Sequence, residues 1–122
     1  MMKDKIVMSG MQFFGYHGVY AEENKLGQRF KVDLELYLPL QPAGQSDELK
    51  DTVNYGEVYE TVRGLVEERT FQLIETVAEQ IAVQVLECYS MVEEVIVRVH
   101  KPNPPFKVFF DGVTIEIHRK RA

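Results

Sequence analysis

Two carboxylates, a phenol and an amine stand where this sequence could do chemistry: Glu23, Glu75, Tyr55 and Lys101. Glu75 lies among Leu73, Ile74, Val77 and Ala78, in a run that reads as the first turns of a helix. A carboxylate with such neighbours calls for a partner, because burying an unpaired charge is costly. The dipole of a helix start supplies part of that partnership. A flat ligand with an amidine-like N–H edge would supply the rest, through a bidentate pair of hydrogen bonds. Glu75 is therefore a candidate reader of a heterocycle, weighed against a plain helix-start acid. Lys101 ends an alternating apolar run and precedes Pro102, with Pro104 and Pro105 close behind. A residue before proline is pushed to extended geometry, so this lysine is stiffly mounted. In a pocket such an amine can serve as acid or base near neutral pH; on a surface it is an ordinary solvated strand-end lysine. Tyr55 follows Asp51-Thr52-Val53-Asn54 and would stack on a ring, donate a hydrogen bond or relay a proton, or else pack on the core. Glu23, in a polar loop, reads on its own as a solvated charge.

Other chemistries find little support. His17, His100 and His118 lack metal-ligand spacing and the single cysteine, Cys88, has no partner, so neither a metal site nor a cofactor is expected. His17, in Gly15-Tyr16-His17-Gly18, reads as a turn residue that shapes its loop. His100 and His118 read as solvated or cross-strand paired. No Gly-x-Gly-x-x-Gly or Walker pattern occurs, and no Ser/His/Asp order suggests nucleophilic hydrolysis. The formal charge of -5 argues against nucleic acid, whose binders carry a basic patch; the basic run His118-Arg119-Lys120-Arg121 reads as a solvated tail. A lone cysteine suits a reducing cytoplasm. The apolar start is too short for a signal peptide, and no stretch approaches the roughly 20 apolar residues of a membrane span.

The elements that must position these groups are legible from periodicity. The length of 122 residues fits one domain, 1–122. Lys5 to Tyr16 reads as a strand bent or bulged at Gly10. Phe30, Val32, Leu34, Leu36 and Leu38 alternate with Lys31, Asp33, Glu35 and Tyr37, as in a half-buried strand. His17 to Gly27 and Pro39 to Val53 read as loops. Asn54 and Glu57 resemble a helix start, followed by Val58, Val62, Leu65 and Val66. A second helix carries the stripe Leu73, Val77, Ile81 and Val85, widened by Ala78 and Ala82. Val95, Val97 and Val99, then Val113, Ile115 and Ile117, mark two closing strands. The order β-β-α-α-β-β predicts an α+β fold: a four-stranded antiparallel sheet with both helices on one face. Its open edges favour an oligomer joined edge to edge, closing into a barrel.

Taken together, Gly15-Tyr16-His17-Gly18, Glu23-Asn24, Gly27-Gln28, Asp51-Thr52-Val53-Asn54-Tyr55, Leu73-Ile74-Glu75 with Ala78-Glu79, and Lys101-Pro102 with Pro104-Pro105 resemble the dihydroneopterin aldolases. The likeness runs from about Ile6 to Ile117 and rests on joint order and spacing rather than on one motif. It implies the tunnelling fold, tetrameric rings stacked into octamers, and active sites shared between subunits. It implies a metal-free retro-aldol cleavage of 7,8-dihydroneopterin in folate biosynthesis, with side-chain epimerisation as a second activity. Glu75 and the backbone at Ile74 would grip the pterin's amino-pyrimidinone edge, and Glu23 would hold the side-chain hydroxyls. Lys101 would be the acid/base, and Tyr55 would come from the adjacent subunit. One departure is visible: Phe106-Lys107-Val108-Phe109-Phe110 stands where members carry a small apolar residue and a Pro-Gly turn.

Three alternatives compete. One is an epimerase of dihydroneopterin or of its triphosphate; a triphosphate site would want clustered Lys or Arg, and none is evident near the site. A catalytically silent pterin-binding protein would not need a mounted base. A structural oligomer with an incidental pocket would need none of the four groups.

Overall fold

The computed structural model describes residues 3–104 and 109–121. Strands β1 (Lys5–Gly15), β2 (Gln28–Tyr37), β3 (Glu94–Lys101) and β4 (Val113–Lys120) form one antiparallel sheet in the order β1-β2-β3-β4. Two long helices, α3 (Tyr55–Glu67) and α4 (Ile74–Cys88), connect β2 to β3 and pack on one face of it. The predicted α+β architecture and its β-β-α-α-β-β order are therefore present. Among the described residues, the edge strands β1 and β4 each have one unpaired side.

Periodicity explains the core. Val32, Leu34 and Leu36 are fully buried, as are Val95, Val97 and Val99 opposite them. They meet Val58, Val62 and Val66 of α3 and Val77, Ile81 and Val85 of α4 in one hydrophobic cluster. Asn54 caps α3, its side-chain oxygen accepting from the N–H groups of Gly56 and Glu57. The β1 bulge falls where expected: Gly10 has φ +68°, the register shifts between Met8 and Met11, and Asp33 accepts the Gly10 N–H at 2.6 Å. A left-handed φ of this kind costs glycine little.

Four readings need correction. The predicted loops contain short helices, α1 (Ala21–Leu26) and α2 (Gln41–Ser46), and a single 3-10 turn over Leu49–Asp51. Six residues are too few for a helix to announce itself by periodicity, since nucleation is costly and tertiary contacts decide. Leu73 does not head the α4 stripe: it is the helix cap, half exposed, and Ile74 takes the buried place. Glu35, assigned to the polar face of β2, is buried there beneath Lys5, Arg98 and Tyr37. Glu75 is exposed in the chain and so needs no partner in the folded protomer. Its apolar neighbours Ile74, Val77 and Ala78 turn to the core while it faces out, as helical spacing allows.

The predicted histidine roles stand. His100 Nδ1 lies 2.7 Å from Thr114 Oγ1 across the β3–β4 pair, and His118 lies beside Glu94. His17 shapes its turn. Of the unusual segment 106–110, residues 106–108 lie outside the described residues; Phe109 and Phe110 are exposed.

Candidate active site

The ends of several elements meet in a cleft of about 250 Å³. One wall is the turn after β1, with Val19, Tyr20 and Glu23. The facing wall is the start of α4, with Gln72, Leu73, Ile74 and Glu75. Lys101 at the end of β3, Pro104, and Val113 and Ile115 of β4 close it. Glu23, Ile74, Glu75 and Lys101, from three distant stretches of sequence, thus share one cavity.

Lys101 Nζ forms an ion pair with Glu23 Oε2, and both side chains are largely shielded, 12% and 7% exposed. This overturns the isolated reading of Glu23 as a solvated charge. The reason is tertiary: α1 turns Glu23 inward, its N–H donating to the Tyr20 carbonyl at 3.1 Å while its Oε1 accepts from the Tyr20 N–H at 3.4 Å. Gly18 makes room, since a Cβ there would lie 2.3 Å from Glu23 Oε1. Asn24 closes the same turn by donating to the Tyr16 and Gly18 carbonyls.

Lys101 is fixed on both sides. Gly112 has φ +97°, and a Cβ there would lie 2.4 Å from the Lys101 carbonyl oxygen. Beyond it, the Asn103 backbone is gripped by one amide: Gln28 accepts its N–H at 2.9 Å and donates to its carbonyl at 3.0 Å. A side-chain amide matches a peptide in this two-way fashion. Gln28 appeared in the sequence only as part of a motif, and nothing about its spacing foretold this contact.

The α4 wall offers different chemistry. The first N–H groups of a helix have no intrahelical partners, and those of Ile74 and Glu75 stand at this start. Beside them is the exposed carboxylate of Glu75. Donors and acceptors side by side at a helix end suit a planar ring edge that both donates and accepts. Leu73 and Ile115 add apolar surface for the ring faces.

Behind the cleft lies His17, 1% exposed. Its Nε2 is 2.8 Å from the Val66 carbonyl, and its Nδ1 accepts the Phe71 N–H at 3.0 Å. A carbonyl only accepts and an amide N–H only donates, so the ring is neutral with its proton on Nε2. Burial pushes the imidazole below its usual range; the bond to Val66 opposes this and the Lys101 charge reinforces it.

Tyr55 does not line the cleft. It begins α3 and is 65% exposed. Among the described residues, no group of three or more His, Cys, Asp or Glu is arranged to hold a metal ion. No helix among them is long and apolar enough to cross a membrane.

The chain as a whole has close counterparts. The family model for dihydroneopterin aldolase matches residues 6–118. The chain is 50% identical to the dihydroneopterin aldolase of Bacillus subtilis over 98% of this chain and 99% of that one. It is 52% identical to that of Staphylococcus epidermidis, over 98% of each. Among solved structures, Escherichia coli dihydroneopterin aldolase in complex with neopterin superposes with a TM-score of 0.87 at 28% identity, covering 95% of this chain and 98% of that one. Sequence and fold agree: the chain belongs to the dihydroneopterin aldolase family.

Proposed function

We propose that this chain cleaves 7,8-dihydroneopterin by a retro-aldol reaction to 6-hydroxymethyl-7,8-dihydropterin and glycolaldehyde, in the cleft between the β1 turn and the start of α4. The observation that carries the assignment of roles is the shielded Lys101–Glu23 pair facing the exposed Glu75 and the α4 amides across one cavity. The neopterin held by the Escherichia coli protein supports a pterin as the ligand. Glu75 accepts the ring's amino and N–H donors, and the backbone at Ile74 completes the edge. Glu23 holds the side-chain hydroxyls.

The hydroxyl on the second side-chain carbon loses its proton, and its oxygen becomes the aldehyde of glycolaldehyde. The bond between the first and second side-chain carbons breaks. Its electron pair moves into the ring C=N, giving an enamine. A proton then adds to the first side-chain carbon, leaving the hydroxymethyl group. One proton leaves and one arrives, so no oxidant or reductant is consumed. The substrate ring is its own electron sink, so positioning and proton transfer suffice without a Schiff base or metal. Lys101, paired with Glu23, is the proton carrier, with Tyr55 and water assisting. Rejoining the fragments on the opposite face would epimerise the side chain.

Tyr55 reaches a cleft only if it comes from a neighbouring subunit, and its exposure and the unpaired edges of β1 and β4 support a homo-oligomer, a tetrameric ring or an octamer. The same reading places the enzyme in the cytoplasm. The test is to feed the purified protein dihydroneopterin under EDTA and separate the products. Release of glycolaldehyde is expected; none, from folded protein, overturns the proposal. Sedimentation as a stable monomer would remove the shared site.

A further inference from the structure

His17 is not among the residues that line the cleft, yet both walls leave from it. On one side the chain runs directly from His17 through Gly18 and Tyr20 to Glu23. On the other, the Phe71 N–H donates to His17 Nδ1 at 3.0 Å, and the chain runs on through Gln72 and Leu73 to Glu75. A third bond closes the junction, the Gly18 N–H donating to the Phe71 carbonyl at 3.0 Å. The ring itself is immobilised: it stacks on Phe71 at 5.7 Å and meets Phe30 edge-on at 5.1 Å. Gly15 admits it, since a Cβ there would come within 2.9 Å of His17 Cδ2. The fixture is more than a turn requires, and it ties together the two segments between which a ligand would be held.

We propose that His17 is a positioning residue for the aldolase site, setting the separation of the Glu23 and Glu75 walls through its Nδ1 bond to Phe71. This rests on the reading of the cleft given above. The bond to Val66 through Nε2 anchors the ring to α3 and serves stability; the bond to Phe71 serves function. A misplacement of about 1 Å between groups that bind one substrate can cost on the order of a hundredfold in rate.

The two bonds can be separated. His17→Asn places an amide oxygen near the Nδ1 position, keeping an acceptor for Phe71 and losing Val66. His17→Gln reaches the Nε2 position, keeping a donor for Val66 and losing Phe71. Each variant forfeits one buried bond, so a merely structural role predicts similar losses in both. The proposal predicts that kcat/KM of His17→Asn stays within about fivefold of the parent, while that of His17→Gln falls roughly tenfold to a hundredfold. Equal losses, or the reverse order, overturn it. Hydrogen exchange on the unaltered protein gives a second measurement that needs no variant. Saturation with neopterin should slow exchange of the Gly18 and Phe71 amides together, by about tenfold or more. Protection at the α4 start with no change at Phe71 sinks the proposal even if both variants misfold. If the unaltered protein neither binds neopterin nor cleaves dihydroneopterin, the underlying reading fails instead, and the two failures are distinct.

Discussion

Replacing Glu35 by Gln keeps the shape of the side chain and removes its charge. Glu35 is 7% exposed and accepts from Lys5 Nζ at 2.8 Å, from Arg98, and from the Tyr37 hydroxyl at 3.1 Å. The Lys5 ammonium first, then the Arg98 guanidinium, holds its carboxyl down from 4.5 to about 2. By linkage such a depression corresponds to ~3 kcal/mol of stability at neutral pH. The partners are partly wet, Lys5 at 43% and Arg98 at 31% exposure, and water screens the pair. Arg98 also keeps Glu116 at 2.6 Å when Glu35 is neutralised. The expected loss is therefore about 1–2 kcal/mol. For a chain of this length that lowers Tm by roughly 4–8 °C. The sign follows from the depressed folded value: the contribution is present above the ordinary carboxylate range and lost as pH falls toward about 2. Urea unfolding of the parent and Glu35→Gln at one protomer concentration should thus show a clear gap near pH ~7 that shrinks by more than half near pH ~3. A gap of the same size at both would mean that packing, not charge, holds Glu35 in place, and would refute the reasoning.

Three further outcomes are expected. Lys101→Ala should lower kcat by roughly a hundredfold to ten-thousandfold with pterin affinity nearly unchanged; weakened binding at unaltered kcat would contradict the proton-carrier role. Glu75→Ala should instead weaken pterin binding by roughly tenfold to a hundredfold, measured by fluorescence titration, since it removes a charged acceptor of the ring edge. Gly112→Ala forces a Cβ against the Lys101 carbonyl at a left-handed φ. It should destabilise by about 1–3 kcal/mol and depress kcat, and a variant with the parent's Tm and turnover would show that the β3–β4 corner relaxes freely.

How much of this was legible in the sequence depended on range. The strands and the two long helices were, because alternation and helical spacing report burial locally: Val32, Leu34 and Leu36 are the buried set that their period names. The bulge at Gly10 and the Asn54 cap were visible for the same reason, each being a backbone requirement met by one residue type. Short α1 and α2 were not, since their stability comes from contacts rather than from pattern. Glu75, Lys101 and Tyr55 stood out by their neighbours and positions, and resemblance sharpened their roles; Glu23, taken alone, read as a solvated charge. What made it a shielded partner of Lys101 is the inward turn of α1 and the missing Cβ of Gly18. Glu75 failed in the opposite direction, because neighbours in sequence lie on different faces of a helix and its apolar company is buried without it.

His17 and Glu35 show the limit most clearly. Nothing in a string of residues tells whether a histidine in a turn will find a carbonyl on one side and an amide on the other. Nor does a polar position on an alternating strand reveal that Lys5, Arg98 and Tyr37 will cover it. The sequence by itself determined the four strands, the two long helices, their order and the family, since these follow from local periodicity and residue identity. The tertiary structure alone decided which charges are shielded, which nitrogen of His17 bears the proton, and that one imidazole joins both walls of the cleft. Those are properties of pairs far apart in the chain, and burial with hydrogen bonding fixes them only once the sheet and helices have closed.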